Sequence, residues 1–188
     1  RLIDLFVEPG RVNPEILGLE REALRRVKTP RGRRDRYGDT ENRLTRADII
    51  DKLQRENLLP AITFIFSRAG CDAAVKQCLQ AGIKLTSAEE RLEIITTAQR
   101  YTQNLAEEDL EVLGYRDWLL ALERGIAAHH AGLLPSFKGA VEDLFKRGLV
   151  KAVFATETLA LGINMPARTV VLEKLTKWNG EAHVSITP

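Results

Sequence analysis

The sequence lacks any long hydrophobic run. No apolar stretch approaches the roughly 18 residues that a membrane-spanning helix needs. No signal-peptide pattern opens the chain. These absences exclude an integral membrane protein and predict a soluble, cytoplasmic protein with no membrane partner.

Cysteine and histidine are also scarce. Cys71 and Cys78 lie seven residues apart, so they share one face of a predicted helix, either as core side chains, which the spacing favours, or as a metal or redox pair. His129 and His130 are adjacent, and no cysteine or further histidine stands at the spacing of a zinc signature. We therefore predict no metal site.

Two phosphate-handling motifs are missing. The sequence contains no Gly-x-x-x-x-Gly-Lys-[Ser/Thr] loop, which cradles phosphates with backbone amides and a lysine. It contains no Asp-Glu-x-His or similar magnesium-holding motif, and the acids of residues 107–110 lie in a predicted helix, as a solvated face. Because phosphoryl transfer needs a lysine, Mg²⁺ and arginines together, we predict no catalytic residue and no ATPase activity in this chain alone.

The composition that is present suits one α/β domain with an appendage, and its charge is uneven. The net charge of the 188 residues is +2, yet residues 21–46 carry a net charge of +6, which leaves the remainder at −4. The basic residues of this segment are Arg21, Arg25, Arg26, Lys28, Arg31, Arg33, Arg34, Arg36, Arg43 and Arg46. Such a run is either a solvated, mobile segment or a site for a polyanion. We interpret residues 1–45 as an N-terminal connector whose basic part is poorly ordered.

Strand and helix patterns alternate from residue 46 onwards. Apolar, β-branched runs predict strands at residues 61–66, after Gly125, and at residues 149–154 and 169–173. Helices of 10 to 15 residues between strands predict right-handed β-α-β units and a doubly wound parallel sheet. A helical block at about residues 84–124, opened by a Ser87–Glu90 capping box, is predicted as an insertion. Asn179-Gly180 predicts a C-terminal β-hairpin at about residues 170–188.

Three loops follow the predicted carboxyl ends of parallel strands. They are Ser67–Arg68, residues 129–132 and residues 156–166. Because parallel strands place those ends on one rim, the loops are expected to line one surface. Their hydroxyls, arginine, imidazoles and backbone amides suit the phosphate oxygens of a nucleic-acid strand. Ordinary strand-to-helix turns use the same small residues, so composition leaves both interpretations open.

A family resemblance adds to this pattern. Residues 153–171, Val-Phe-Ala-Thr-Glu-Thr-Leu-Ala-Leu-Gly-Ile-Asn-Met-Pro-Ala-Arg-Thr-Val-Val, closely resemble motif V of the superkiller-like DExH-box helicases of superfamily two. Residues 64–68 resemble motif IV, residues 125–135 the His-Ala/Ser-Gly loop, and residues 177–180 the hairpin between motifs V and VI. The similarity covers about residues 61–188 in the family's order, and the bacterial HelY-type branch is one candidate within it.

The resemblance implies the second, C-terminal RecA-like domain of an enzyme that hydrolyses ATP while moving along RNA or DNA. It implies that Ser67 and Arg68 lie near the nucleic-acid backbone. His130 and Gly132 would lie along the same track, and Thr156 would hydrogen-bond a phosphate. In the intact enzyme the partners would be single-stranded RNA or DNA and the first RecA-like domain of the same polypeptide.

The resemblance also implies contacts with ATP and with bases. Gly162 would let the backbone approach ATP, and Asn164 would meet the ATP ribose across the inter-domain cleft. Trp178 would stack on or split bases, or else pack on the domain surface. ATP and Mg²⁺ are expected only in the intact enzyme, with none bound to this monomeric chain. The family's arginine-finger motif VI would follow Pro188, so the chain is interpreted as truncated before it.

Two rival classes of function remain open at this stage. One is a non-enzymatic module that binds nucleic acid or protein through the basic segment. The other is a structural scaffold, which would not require the Gly-Ile-Asn-Met-Pro turn of residues 162–166 at the rim.

Overall fold

The computed structural model describes residues 3–18, 44–160, 165–173, 176–178 and 183–185. The chain divides into two compact units, Arg1–Arg43 and Leu44–Pro188. Most of the basic segment, from residue 21 to residue 43, lies outside the described residues. No helix in the described ranges is long and apolar enough to cross a membrane.

The first unit contains a short antiparallel pair. Strand β1 (Phe6–Glu8) pairs with β2 (Arg11–Val12) across a turn at Gly10, whose φ of +79° favours glycine. Residues 14–18 are helical. The side chain of Asn13 accepts a hydrogen bond from the amide of Glu15 at this helix start.

A four-stranded parallel sheet forms the centre of the second unit. Its strands are β3 (Ala61–Phe64), β4 (Ile126–His129), β5 (Ala152–Ala155) and β6 (Thr169–Leu172), in the order β4-β5-β3-β6. Every pair is parallel. This arrangement confirms the predicted α/β, RecA-like class.

Six α-helices connect or flank the strands in the described part of the second unit. They are α1 (Arg46–Arg55), α2 (Arg68–Gln80), α3 (Ala88–Thr102), α4 (Glu107–Val112), α5 (Tyr115–Glu123) and α6 (Pro135–Lys146). Two begin with capping boxes, Ser87 with Glu90 as predicted above, and Thr45 with Asp48. Each box satisfies two backbone amides that a helix start otherwise leaves without partners.

Strand β5 begins later than the apolar pattern predicts. Helix α6 closes at Gly148, whose φ is +72°, and the amides of Leu149 and Val150 both donate to the carbonyl of Leu144. Those amides complete the helix C-terminus and are not available to a sheet. The strand therefore starts at Ala152, although Leu149 and Val150 are buried.

The sheet is covered on both faces. One core includes Ile50, Cys71 and Phe154 beneath α1 and α2, and the other packs residues of α3 and α6 such as Ile94 and Val141. Helix α3, the first helix of the predicted insertion, therefore packs against the core of the sheet. Helix α4 has no buried residue and is the part of this block that lies at the surface.

The two cysteines belong to the core. Cys71 and Cys78 are free thiols with no exposed surface. Burial raises the pKa of Cys71 to about 12 and that of Cys78 to about 11. Among the described residues, no group of three or more potential ligands is placed to hold a metal ion.

The C-terminal part of the chain forms a hairpin. Strands β7 (Thr176–Trp178) and β8 (His183–Ser185) pair antiparallel, which confirms the hairpin that Asn179-Gly180 predicts. It starts after residue 170, because residues 169–172 pair with β3 in the parallel sheet.

Candidate nucleic-acid interface

The carboxyl ends of three strands meet at one rim. In the sheet register, Phe64 lies beside Ala155, and Ala155 lies beside His129. The amide of Ile65 donates to the carbonyl of Ala155 at 2.8 Å, and the amide of Thr156 donates to that of His129 at 3.2 Å. The loops that follow β3, β4 and β5 therefore leave the sheet side by side, as the sequence predicts for a doubly wound fold.

Ser67 and Arg68 form the first part of this rim. Ser67 is the N-cap of α2, and its Oγ accepts a hydrogen bond from the amide of Gly70 at 3.2 Å. The turn is tight, since a β-carbon at Gly70 would lie only 2.7 Å from a methyl group of Ile65. Both Ser67 and Arg68 are exposed. A serine-capped helix start beside a cation is electrostatically suited to an anion.

Arg68 carries the exposed positive charge of this rim. Within the described part of the chain, no carboxylate forms an ion pair with its guanidinium. Its methylene stem lies against Gly132, the third residue of the loop after β4. A β-carbon at Gly132 would be 3.5 Å from Cδ of Arg68. The stem is thus packed while the charged head faces solvent, which suits a phosphate contact.

The adjacent histidines, the last residue of β4 and the first residue after it, face opposite sides of the sheet, because successive side chains alternate along an extended chain. His129 turns towards α6, where its Nε2 lies 2.8 Å from Oε1 of Glu142. Its Nδ1 is buried and has no hydrogen-bond partner among the described residues. His130 turns towards α2, where its Nε2 lies 3.0 Å from Oδ1 of Asp72, and its Nδ1 accepts from the amide of Gly132 at 3.1 Å.

Thr156 occupies the rim position after β5. It is half-buried and precedes the 3₁₀ turn Glu157–Ala160, where its carbonyl accepts from the amide of Leu159.

Gly162 and Asn164, the predicted ATP contacts, lie outside the described residues. Trp178 is the last residue of β7 and pairs with His183, and its side chain also lies outside what is described. The structure therefore brings Ser67, Arg68, His130, Gly132 and Thr156 to one edge of the sheet.

One member of the predicted basic segment has a structural partner. The guanidinium of Arg46 forms a two-pronged ion pair with Glu173, at 2.7 Å and 2.8 Å. The hydrogen bond to Glu173 raises the pKa of Arg46, more than burial lowers it. Arg46 thus joins the start of α1 to the end of β6, which sequence composition did not indicate.

Two acidic side chains behind the rim were not singled out from the sequence. Asp72 and Glu142 hold His130 and His129, respectively. The signal that could have indicated Asp72 is its position four residues after Arg68, which places both on one face of α2. Glu142 carries no comparable local signal, because its contact with His129 depends on how α6 packs on the sheet.

A cleft of about 550 Å³ opens beside the loop after β4. Its walls come from α2, α5 and α6, with Val75, Leu79 and Leu133 among its apolar lining residues. The rings of Trp118 and Phe137 are stacked in this wall, with centroids 4.1 Å apart. Asp72, His130 and Gly132 lie at the side of the cleft that adjoins the rim.

This chain is similar in sequence to proteins named as helicases. The chain is 53% identical to the probable helicase HelY of Mycobacterium leprae over an alignment of 202 positions. This match covers 100% of this chain and 22% of that relative. It is 46% identical to the chloroplastic DExH-box ATP-dependent RNA helicase DExH15 of Arabidopsis thaliana, over 76% of this chain and 12% of the relative. It is 37% identical to the human superkiller complex protein 2, over 80% of this chain and 12% of the relative.

The chain spans about a fifth of the length of the HelY relatives it matches. No protein-family model matches it. The similarity to HelY covers the whole chain, and the similarity to the DExH-box and superkiller proteins covers about three quarters of it. Together with the RecA-like parallel sheet, these matches show that the chain belongs to the DExH-box helicases of superfamily two.

Proposed function

We propose that this chain is the C-terminal RecA-like domain of an ATP-dependent RNA or DNA helicase, and that its rim binds the phosphate backbone of a single strand. One observation carries the proposal. The loops after β3, β4 and β5 leave the same edge of the sheet, with Arg68 among them, which is exposed and has no ion-pair partner among the described residues. Backbone contacts of this kind hold a strand without reading its sequence.

The proposal includes a second contact surface, towards ATP. Gly162 and Asn164 follow Thr156 in the segment that resembles motif V, and they would complete the ATP site with the first RecA-like domain of the intact enzyme. ATP and Mg²⁺ would bind there only when both domains are present. Trp178, in the hairpin strand β7, would stack on bases of the bound nucleic acid.

The rim is tested by measuring strand affinity in matched variants. We expect Arg68→Ala to weaken binding of a fluorescein-labelled 15-nucleotide oligouridylate about tenfold in fluorescence anisotropy, since a charge-assisted hydrogen bond contributes roughly 1.5 to 3 kcal/mol. Arg55→Ala removes the same charge at the opposite end of β3, next to the loop that enters the strand, and is expected to have little effect.

The same assay separates the rim from the basic segment. Deletion of residues 25–36 removes much of the positive charge of residues 21–46. If all binding is lost in that deletion while Arg68→Ala and Thr156→Ala bind normally, the chain is a module that acts through its basic segment. If both rim variants bind weakly and the deletion changes mainly the salt dependence, the helicase rim is supported.

A further inference from the structure

We propose that Asp72 and His130 are positioning residues, which orient the Gly132 backbone and the Arg68 side chain for strand binding without touching the strand. This proposal rests on the nucleic-acid-binding function proposed above and changes the role of one of its residues. His130 would act through its neighbours, and Asp72 would be a further functional residue.

Both ring nitrogens of His130 are used inside the protein. The amide of Gly132 can only donate, so Nδ1, which lies 3.1 Å away, must be the acceptor and carry no proton. The ring proton then lies on Nε2, which donates to Oδ1 of Asp72 at 3.0 Å. The His130 side chain is only 6% exposed. Neither nitrogen is left to donate to a phosphate.

Asp72 connects this ring to the helix that carries Arg68. It lies in the second turn of α2, whose first residue is Arg68. Its side chain is about half exposed, so the bond to His130 is not explained by the need to satisfy a buried charge. The bond instead ties the start of α2 to the loop after β4, two elements that are 58 residues apart in sequence.

Gly132 transmits the position of the ring to Arg68. A β-carbon at Gly132 would lie 3.1 Å from Nδ1 and 3.3 Å from Cε1 of His130, and 3.5 Å from Cδ of Arg68. The Gly132 backbone therefore lies between the imidazole and the arginine stem. If the ring turns away, both the loop backbone and the packing of that stem lose their support.

Simple electrostatics and positioning predict opposite results when Asp72 is removed. Asp72→Ala deletes a negative charge near a phosphate-binding surface, which by itself would tighten RNA binding. If Asp72 holds His130 in place, the same change weakens binding, by about tenfold for a lost charge-assisted hydrogen bond. The direction of the effect therefore distinguishes the two accounts.

Binding of the fluorescein-labelled 15-nucleotide oligouridylate to the chain is measured for four variants. We expect Asp72→Ala to bind about tenfold more weakly, and Asp72→Asn to remain within about threefold of the wild type because its amide oxygen still accepts from Nε2. His130→Asn keeps an acceptor for the Gly132 amide but loses Asp72, so we expect an intermediate loss. Asp109→Ala, which removes an exposed carboxylate on α4, is the charge-matched control.

A nuclear magnetic resonance measurement makes the result independent of RNA. A long-range proton–nitrogen spectrum of the wild type is expected to show His130 protonated at Nε2, and the Gly132 amide resonance is expected to shift in Asp72→Ala but not in Asp109→Ala. Thermal unfolding checks that each variant is folded. If Asp72→Ala does not fold, Asp72→Asn and the wild-type tautomer decide the question.

Two kinds of failure can be told apart. If the wild type binds the oligouridylate through Arg68 but Asp72→Ala binds equally or more tightly, the positioning role is wrong and the proposed function stands. A spectrum with the proton on Nδ1 of His130 also overturns the positioning role. If the wild type shows no binding at all, the proposed function fails, and the positioning role fails with it.

Discussion

At the scale of single residues, neighbours in sequence have different surroundings because the sheet separates them. His129 and His130 face α6 and α2, and each meets a carboxylate. Arg46 and Arg55 begin and end α1, but Arg46 is held by Glu173 at the end of β6, while Arg55 is mostly exposed and pairs with Asp51 of its own helix. A side chain's role in this domain therefore depends on the face of the element that carries it.

The thiols allow a test at this scale. Burial raises the pKa of Cys71 to about 12 and of Cys78 to about 11, so almost no thiolate exists near neutral pH, and thiolate is the reactive form. We expect no reaction of the native protein with a thiol-specific disulfide reagent within minutes at pH 7.5. Both cysteines are expected to react in 6 M guanidinium chloride, an ordinary unfolding condition. Fast labelling of the folded chain would contradict their burial in the core.

At the scale of elements, the domain joins helix starts to strand starts with polar clusters. Glu90, the third residue of α3, accepts from the amide of Ser87 at 2.7 Å and from Nζ of Lys151 at 2.8 Å. Lys151 is the residue directly before β5, and its Nζ also donates to the carbonyl of Leu85 at 2.8 Å. This cluster connects the N-terminus of α3 to the sheet.

The pH dependence of stability tests this cluster. Burial raises the pKa of Glu90, but the hydrogen bonds from Lys151 and the Ser87 amide outweigh burial, so the pKa lies below its ordinary value of 4.5. A lowered pKa in the folded state means that the stabilisation is present above the unfolded pKa and is lost as pH falls through the folded one. We expect Glu90→Gln to lower the free energy of unfolding by about 1 to 2 kcal/mol at pH 7, and by progressively less as the pH falls from 4.5 through the lowered pKa of the folded state.

Urea unfolding across this pH range measures the difference directly. Glu108→Gln, at an exposed carboxylate of α4, is the matched control and is expected to change little across this range. A cost of Glu90→Gln that stays as large below the pKa of the folded state as it is at pH 7 would show that the ionised carboxylate contributes nothing.

At the scale of the whole molecule, the rim is one edge of a single sheet, and the chain spans about a fifth of the length of its HelY relatives. Phosphoryl transfer requires a phosphate-binding lysine and a magnesium site, and the sequence contains neither motif. We therefore expect the isolated chain to turn over no more ATP than a Thr156→Ala, Asn164→Ala double variant in a coupled assay. Turnover clearly above that variant would refute the assignment of ATP hydrolysis to a two-domain site.

Local signals in the sequence determined most of the elements. Thr45 with Asp48 and Ser87 with Glu90 mark helix starts, and Asn179-Gly180 marks the hairpin, because each signal acts through hydrogen bonds between residues a few positions apart. The alternation of apolar runs with helices likewise implied a parallel sheet and a shared rim, since the connection rules for such sheets leave few topologies. Motif order then indicated the family.

Tertiary structure alone decided which side chains meet. Asp72 reaches His130 across 58 residues and Arg46 reaches Glu173 across 127, and no local pattern encodes such pairs. They form only after α1 and α2 pack on a sheet whose strand order is β4-β5-β3-β6. Packing also placed α3 against the core of the sheet. Strand β5 starts further along the chain than predicted, because the amides of Leu149 and Val150 close α6. The sequence by itself determined the rim, while packing determined how its side chains are held.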